Sequence, residues 1–227
     1  MERKIVLSEG EYYHIYNRGV EKREIFKRKS DYQRFVKLLY LSNSENGYVY
    51  RDLKNKSLSE IKRNSQITAV GSYCLMPNHF HLLLKETKPN GISKFMEKLA
   101  TGYSMYFNKK YNRVGPLFQN RFKAQHVAED SYLEYLYFYI SLNPVKLIQP
   151  KWKEEGIKNI DYVEKYLNNY KFSSYLDYIG IDREEMLILD TKVFPEYFEK
   201  RDSFKNFADQ WLKYSNTKGS NTKGSPM

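Results

Sequence analysis

Two histidines one residue apart, His79-Phe80-His81, open an apolar run that continues Leu82-Leu83-Leu84. On a strand, positions i and i+2 project from the same face, so the imidazoles would stand side by side while Phe80 enters the opposite face. Paired neutral imidazoles are a metal-ligand arrangement, although such a pair also occurs as satisfied strand histidines. The chain holds 4 His among 227 residues, which makes a chance pair at this spacing uncommon, and Pro77-Asn78 sets it at a strand entrance that a ligand can reach. A second set is Tyr139 and Asn143, at i and i+4, which would bring a hydroxyl and an amide oxygen to one face of a helix. Against this, a tyrosine stripe at helical spacing is ordinarily core, the expectation for Tyr135, and Asn143 could simply end the helix. His14 and His126 read as structural residues or binding contacts rather than metal ligands, and Cys74 as a small buried strand residue.

The elements that must position these groups follow from periodicity. Residues 11–18 are aromatic and β-prone and stop at Gly19, a first strand. Ser30-Asp31 opens a helix carrying Tyr32, Phe35, Leu38 and Leu39 at helical spacing, with Ser30 as its N-cap, and residues 44–66 are charged and irregular. Ile67 to Leu75 and His79 to Lys85 read as neighbouring strands joined at Met76-Pro77-Asn78. Gly91 breaks the chain before a helix from Ile92 to Tyr111 with Phe95, Leu99, Tyr103, Tyr106 and Phe107 along one face. A further strand leads to a helix capped by Asp130-Ser131, running from Tyr132 to Leu142 and ended by Asn143-Pro144. The order strand, helix, two strands, helix, strand, helix gives an α+β class, a ferredoxin-like or RRM-like antiparallel sheet with helices packed on it. Residues 1–150 form the catalytic unit on this reading and 151–215 a helical C-terminal extension packed on it. Residues 216–227, which repeat Asn-Thr-Lys-Gly-Ser, are a disordered polar tail.

Charge names the partner class. Lys plus Arg number 38 against 27 Asp plus Glu, a formal charge of +11, and 22 of the residues are tyrosine. A basic chain rich in hydroxylated rings suits nucleic acid. Phe107 to Val127 carries Lys109, Lys110, Arg113, Arg121 and Lys123 with no acidic residue, and Arg18 lies beside the first strand. These six are the candidate DNA-phosphate contacts; the alternative for the run is a solvated loop. One cysteine excludes an internal disulfide and a multi-thiolate zinc site, which fits a reducing, cytoplasmic setting, and no apolar stretch approaches the length of a membrane span. P-loop, Rossmann, zincin and hydrolase-elbow motifs are absent from the sequence.

Taken in order, Tyr13-His14-Ile15-Tyr16-Asn17-Arg18-Gly19, Cys74-Leu75-Met76-Pro77-Asn78-His79-Phe80-His81, Gly115-Pro116-Leu117-Phe118-Gln119-Asn120-Arg121, Tyr139-Ile140-Ser141-Leu142-Asn143-Pro144 and Phe172-Ser173-Ser174-Tyr175 resemble the single-tyrosine HUH transposases of the IS200/IS605 type. Within these, the REP-associated tyrosine transposases are the nearest in pattern. The resemblance implies that His79 and His81 are the HUH pair, Asn143 the third metal ligand and Tyr139 the nucleophile. It also implies a divalent ion, Mg²⁺ or Mn²⁺, and cleavage and strand transfer of single-stranded, hairpin-bearing DNA through a 5′-phosphotyrosine. Imidazole ligands suit Mn²⁺ at least as well as Mg²⁺. A monomer is favoured over a homodimer. Two rivals keep the fold and change the chemistry: a non-catalytic RRM-like module that stacks bases, and a metal-dependent nuclease that activates water without a covalent intermediate.

Overall fold

The computed structural model describes residues 6–195. Aromatic and β-branched residues at Tyr12–Arg18 make β1, which lies inside the sheet between β3 (His79–Lys85) and β4 (Lys123–Val127). The fourth strand, β2 (Ala69–Met76), pairs with β3, and the order is β2-β3-β1-β4 with every pairing antiparallel. Each strand–helix–strand passage therefore skips over a strand from the other passage, the ferredoxin-like arrangement expected. Helices α1 (Lys29–Ser42) and α3 (Gly91–Lys110) cover one face. There Phe35, Leu38, Leu39, Phe95, Leu99, Tyr103 and Phe107 meet Ile15, Leu75, Phe80 and Leu82 from the strands.

Several local expectations change. Helix α1 begins at Lys29 with Arg28 at the N-cap, so Ser30 is not the cap. The buried Asp31 carboxylate, a stronger acceptor than a hydroxyl, takes the backbone N–H groups of Lys27 and Arg28, each at 2.9 Å, from within the first turn. Lys110 and Tyr111 hold it in place at 2.5 and 2.7 Å. Residues 44–66 contain a single helical turn, α2 (Tyr50–Leu53), whose Leu53 carbonyl accepts from Lys37 Nζ at 2.5 Å. The break before α3 belongs to Asn90, left-handed at φ 61°, and Gly91 is already helical. Helix α4 (Asp130–Ser141) starts at Asp130 with Glu129 as N-cap, which puts an acid in the first turn. Beyond Leu142 the chain does not leave the helix direction abruptly but tightens into a 3₁₀ turn, Asn143–Leu147, with Pro144 where its missing N–H costs nothing.

The second face of the sheet is covered by α4 together with three shorter helices, α5 (Trp152–Glu155), α6 (Ile160–Asn169) and α7 (Tyr175–Tyr178). Ala69, Cys74, Met76, Leu83 and Val127 are buried there against Leu133, Leu136, Tyr137, Phe138 and Ile140. An RRM-like binder needs this face open for stacking, and here most of it is sealed. Residues 172–174 run along the free edge of β2: Leu75 N donates to Phe172 O and Ser174 N to Tyr73 O, both at 2.9 Å. Tyr170 Oη donates to Leu75 O at 2.5 Å, and the Arg183 guanidinium joins Asp177 to the Tyr73 hydroxyl. The unpaired edge that β2 would otherwise present is thereby closed. Among the described residues no helix is long and apolar enough to cross a membrane. The polar tail, 216–227, and the extension beyond 195 lie outside the described residues.

Candidate active site

Register brings the chemistry together. On the second face, His79 and His81 project from β3, His81 sits opposite Tyr16 of β1, and His14 is one step along the same face. The rings of His79 and His81 lie 5.0 Å apart, nearly perpendicular, and those of His14 and His81 are stacked at 5.1 Å. Tyr139 closes the group from α4, edge-on to His81 at 5.7 Å and to His14 at 5.8 Å. It does so because α4 points Leu136, Phe138 and Ile140 into the core, which turns Tyr132, Tyr135 and Tyr139 out along the rim as a stacked column. Tyr135, expected in the core, is therefore a half-exposed rim residue. Tyr137 is the buried tyrosine of this helix, and it faces Tyr178 and Phe194 instead of the histidines.

The protonation states suit ligation. Burial lowers His79 to about 4, helped by Arg18 and Lys146, and burial alone lowers His14 to about 4. His81 is held well below its ordinary value by burial and then by His14 and His79. All three imidazoles are neutral near pH 7 and carry a lone pair. Asn78 Oδ1 lies 2.6 Å from His79 Nδ1 and can only accept, so the proton sits on Nδ1 and Nε2 is free. His81 Nδ1 lies 2.9 Å from His14 Nε2. Donation from His81 to His14 leaves His81 Nε2 free in the same way, an orienting bond of the kind that fixes metal-binding histidines.

Asn143 is buried, and its Nδ2 donates back to the Tyr139 carbonyl at 2.7 Å. Its Oδ1 is buried without a hydrogen-bond partner, a costly state for an amide oxygen that has no ligand. Two free imidazole nitrogens and an orphaned amide oxygen fit a divalent cation. No three His, Cys, Asp or Glu side chains among the described residues are arranged to hold a metal ion by themselves, so an amide has to complete such a set. Burial, then Tyr132, raises the Tyr139 phenol, while the Asn143 amide pulls it down.

The six basic candidates fall into two groups. Arg18 pairs across from His79, Lys123 across from Tyr16 with Nζ 6.0 Å from that ring, and Arg121 is exposed beside them. Lys109, Lys110 and Arg113 gather at the end of α3, in the layer on the opposite face. There Lys110 is engaged with Asp31, and Arg113 donates to Asn108 Oδ1 at 2.8 Å. His14, read as structural or a DNA contact rather than a ligand, shares a face of β1 with Tyr16, and only the strand register brings it to His81. Two groups at the site escaped the sequence reading. Lys146 and Lys153, whose Nζ atoms lie 5.5 and 4.1 Å from the Tyr139 ring centre, give no local signal.

The family model described as "Transposase IS200 like" matches residues 9–143, a span that contains His79, His81, Tyr139 and Asn143. The chain belongs to the IS200-like transposase family. Among solved structures, this IS200-like chain is similar to one described as a REP-associated tyrosine transposase bound to a REP hairpin. The TM-score is 0.51 at 13% identity, covering 88% of this chain and 97% of that one, and the likeness is one of fold. A search of the curated proteins gives no match.

Proposed function

We propose that this IS200-like transposase cuts and rejoins single-stranded DNA through a covalent bond between Tyr139 and a 5′-phosphate. The observation that carries the reading is the convergence of the Tyr139 ring on His81 with the partnerless Oδ1 of Asn143 beside it. Tyr139 Oη, as phenolate, bonds to phosphorus; the P–O3′ bond breaks, and the departing 3′-oxygen takes a proton from water. The phosphodiester energy is kept in the phosphotyrosine, so a 3′-hydroxyl can reverse the step without ATP. His79, His81 and Asn143 would hold Mg²⁺ or Mn²⁺, which supplies charge neutralisation and polarisation at the scissile phosphate. His14 holds the His81 ring and its tautomer. Arg18, Arg121 and Lys123 bind flanking phosphates on the histidine side, and Lys109, Lys110 and Arg113 are proposed phosphate contacts further out. A hairpin-bearing strand is the proposed substrate, in keeping with the hairpin bound by the similar structure. We place the activity in the cytoplasm and in a monomer.

The test is incubation with end-labelled single-stranded hairpin DNAs and Mn²⁺, read on a denaturing gel. The wild type gives a denaturant-resistant protein–DNA adduct, Tyr139→Phe gives none while binding DNA normally, and Tyr137→Phe retains it. An adduct that survives in Tyr139→Phe removes Tyr139 as the nucleophile, and cleavage without any adduct returns the water-activating nuclease.

A further inference from the structure

Beside the nucleophile stand two ammonium groups that the metal chemistry does not use. Lys146, on the 3₁₀ turn, and Lys153, on α5, both project over the Tyr139 ring, at 5.5 and 4.1 Å from its centre. Lys153 Nζ also lies 3.4 Å from the Tyr135 hydroxyl. Each is set in place by a buried neighbour, Val145 for Lys146 and Trp152 for Lys153, so the backbone carrying it is anchored in the second core. Among the described residues neither makes an ion pair, although the neighbouring Lys151 and Lys158 both reach Glu155. Like charges held close without a carboxylate between them are unfavourable unless an anion arrives. Burial lowers Lys146, and burial together with the Lys146 charge lowers Lys153 to about 8, with Glu154 opposing in each.

We propose that Lys146 and Lys153 form an anion grip for the phosphoryl group that Tyr139 attacks. The inference rests on the reading of Tyr139 as the nucleophile and adds the groups that hold the non-bridging oxygens beside the Tyr139 ring. Charge building on those oxygens during transfer would meet two preplaced cations at a water-restricted rim, where such contacts act most strongly. Lys146 and Lys153 are then catalytic residues, and the rings of Tyr135 and Tyr139 seat the Lys153 ammonium between turnovers.

Two measurements on the full chain test this. In the first, crystals are soaked in tungstate as a probe oxyanion. Anomalous density is expected between the two Nζ atoms beside Tyr139 and is lost in Lys153→Met, which keeps the apolar stem and removes the charge; density at neither lysine in the wild type overturns the grip. In the second, adduct formation is followed in single turnover at saturating hairpin DNA. Lys153→Met and Lys146→Met should each slow it by about 100- to 1,000-fold while Mn²⁺ still binds. Lys153→Arg should recover most of the rate, and the control Lys158→Met should match the wild type. If the wild type forms the adduct and both methionine variants form it equally fast, the grip is refuted while the nucleophile stands. If the wild type forms none, the reading of Tyr139 fails, and the tungstate result alone decides whether an anion site exists.

Discussion

At the scale of single residues, the histidine cluster behaves as a neutral, desolvated unit whose parts are not interchangeable. His14 touches the proposed ion only through His81, so His14→Ala should weaken Mn²⁺ binding by about 10- to 100-fold, measured by electron paramagnetic resonance, whereas His79→Ala should abolish it. The cluster also sets an acid limit. In the unfolded chain these histidines take up protons below about 6.5, but in the folded one His14 and His79 refuse them until about 4, and burial holds His81 well below its ordinary value too. The unfolded state binds more protons through that window, so stability falls as pH drops from about 6.5 towards 4, by up to about 1.4 kcal/mol per pH unit for each histidine. Urea titrations at several pH values in metal-free buffer check this. The loss should shrink in His14→Ala relative to that variant's own stability at pH 7, and an acid response unchanged by the substitution would show that burial of the cluster is not its source.

At the scale of elements, the readable and unreadable parts of the sequence separate by mechanism. His79 and His81 could be placed because a strand has period two, and Tyr139 with Asn143 because a helix returns to one face after four residues. The same periodicity assigned Phe95, Leu99, Tyr103, Tyr106 and Phe107 to one face, and all but the half-buried Tyr106 line the first core. What periodicity cannot supply is register between strands and the path of irregular chain. His14 meets His81 only because β1 aligns Tyr16 with His81, and Asp31 displaces Ser30 as the capping acceptor only because α3 delivers Lys110 and Tyr111 to it. Gly91 shows the same limit: it reads as a breaker, yet its role is contact. A Cβ there would lie 1.9 Å from the Ile67 carbonyl oxygen, a backbone atom that cannot move aside. Gly91→Ala should therefore destabilise the fold by about 1–3 kcal/mol or more, seen as a lower urea midpoint with little change in slope. A stability equal to wild type would mean that α3 can slide away from the strand entrance.

At the scale of the molecule, the formal charge of +11 is not spread evenly around one site. Arg18 and Lys123 lie in the strands beside the histidines, with Arg121 exposed next to Lys123, while Lys109, Lys110 and Arg113 gather at the end of α3 in the other layer. Removing a phosphate contact should flatten the dependence of log affinity on log salt by about 0.7 per contact on single-stranded DNA. Arg121→Ala and Lys123→Ala should each show that flattening and weaken all sequences alike. Lys110→Ala should flatten it less and lower thermal stability more, since its ammonium holds the buried Asp31. Binding titrations across salt concentrations, paired with melting curves, separate the two behaviours. Unchanged slopes for both Arg121→Ala and Lys123→Ala would remove this border from the DNA path.

The strip that closes β2 ties events that are distant in time during synthesis. Ser72 and Ser174 share a hydrogen bond across 102 residues of chain, and Gly71 is roofed by Phe194. At about 5–20 residues per second, a ribosome makes the β2–β3 hairpin roughly 5–20 s before the segment that shields it. During that interval the hairpin has an open edge and an uncovered apolar face, a state prone to pairing with other nascent chains. Tyr139, the proposed nucleophile, is made well before this closure, so the chain reaches its sealed form only when the last shielding turns have emerged.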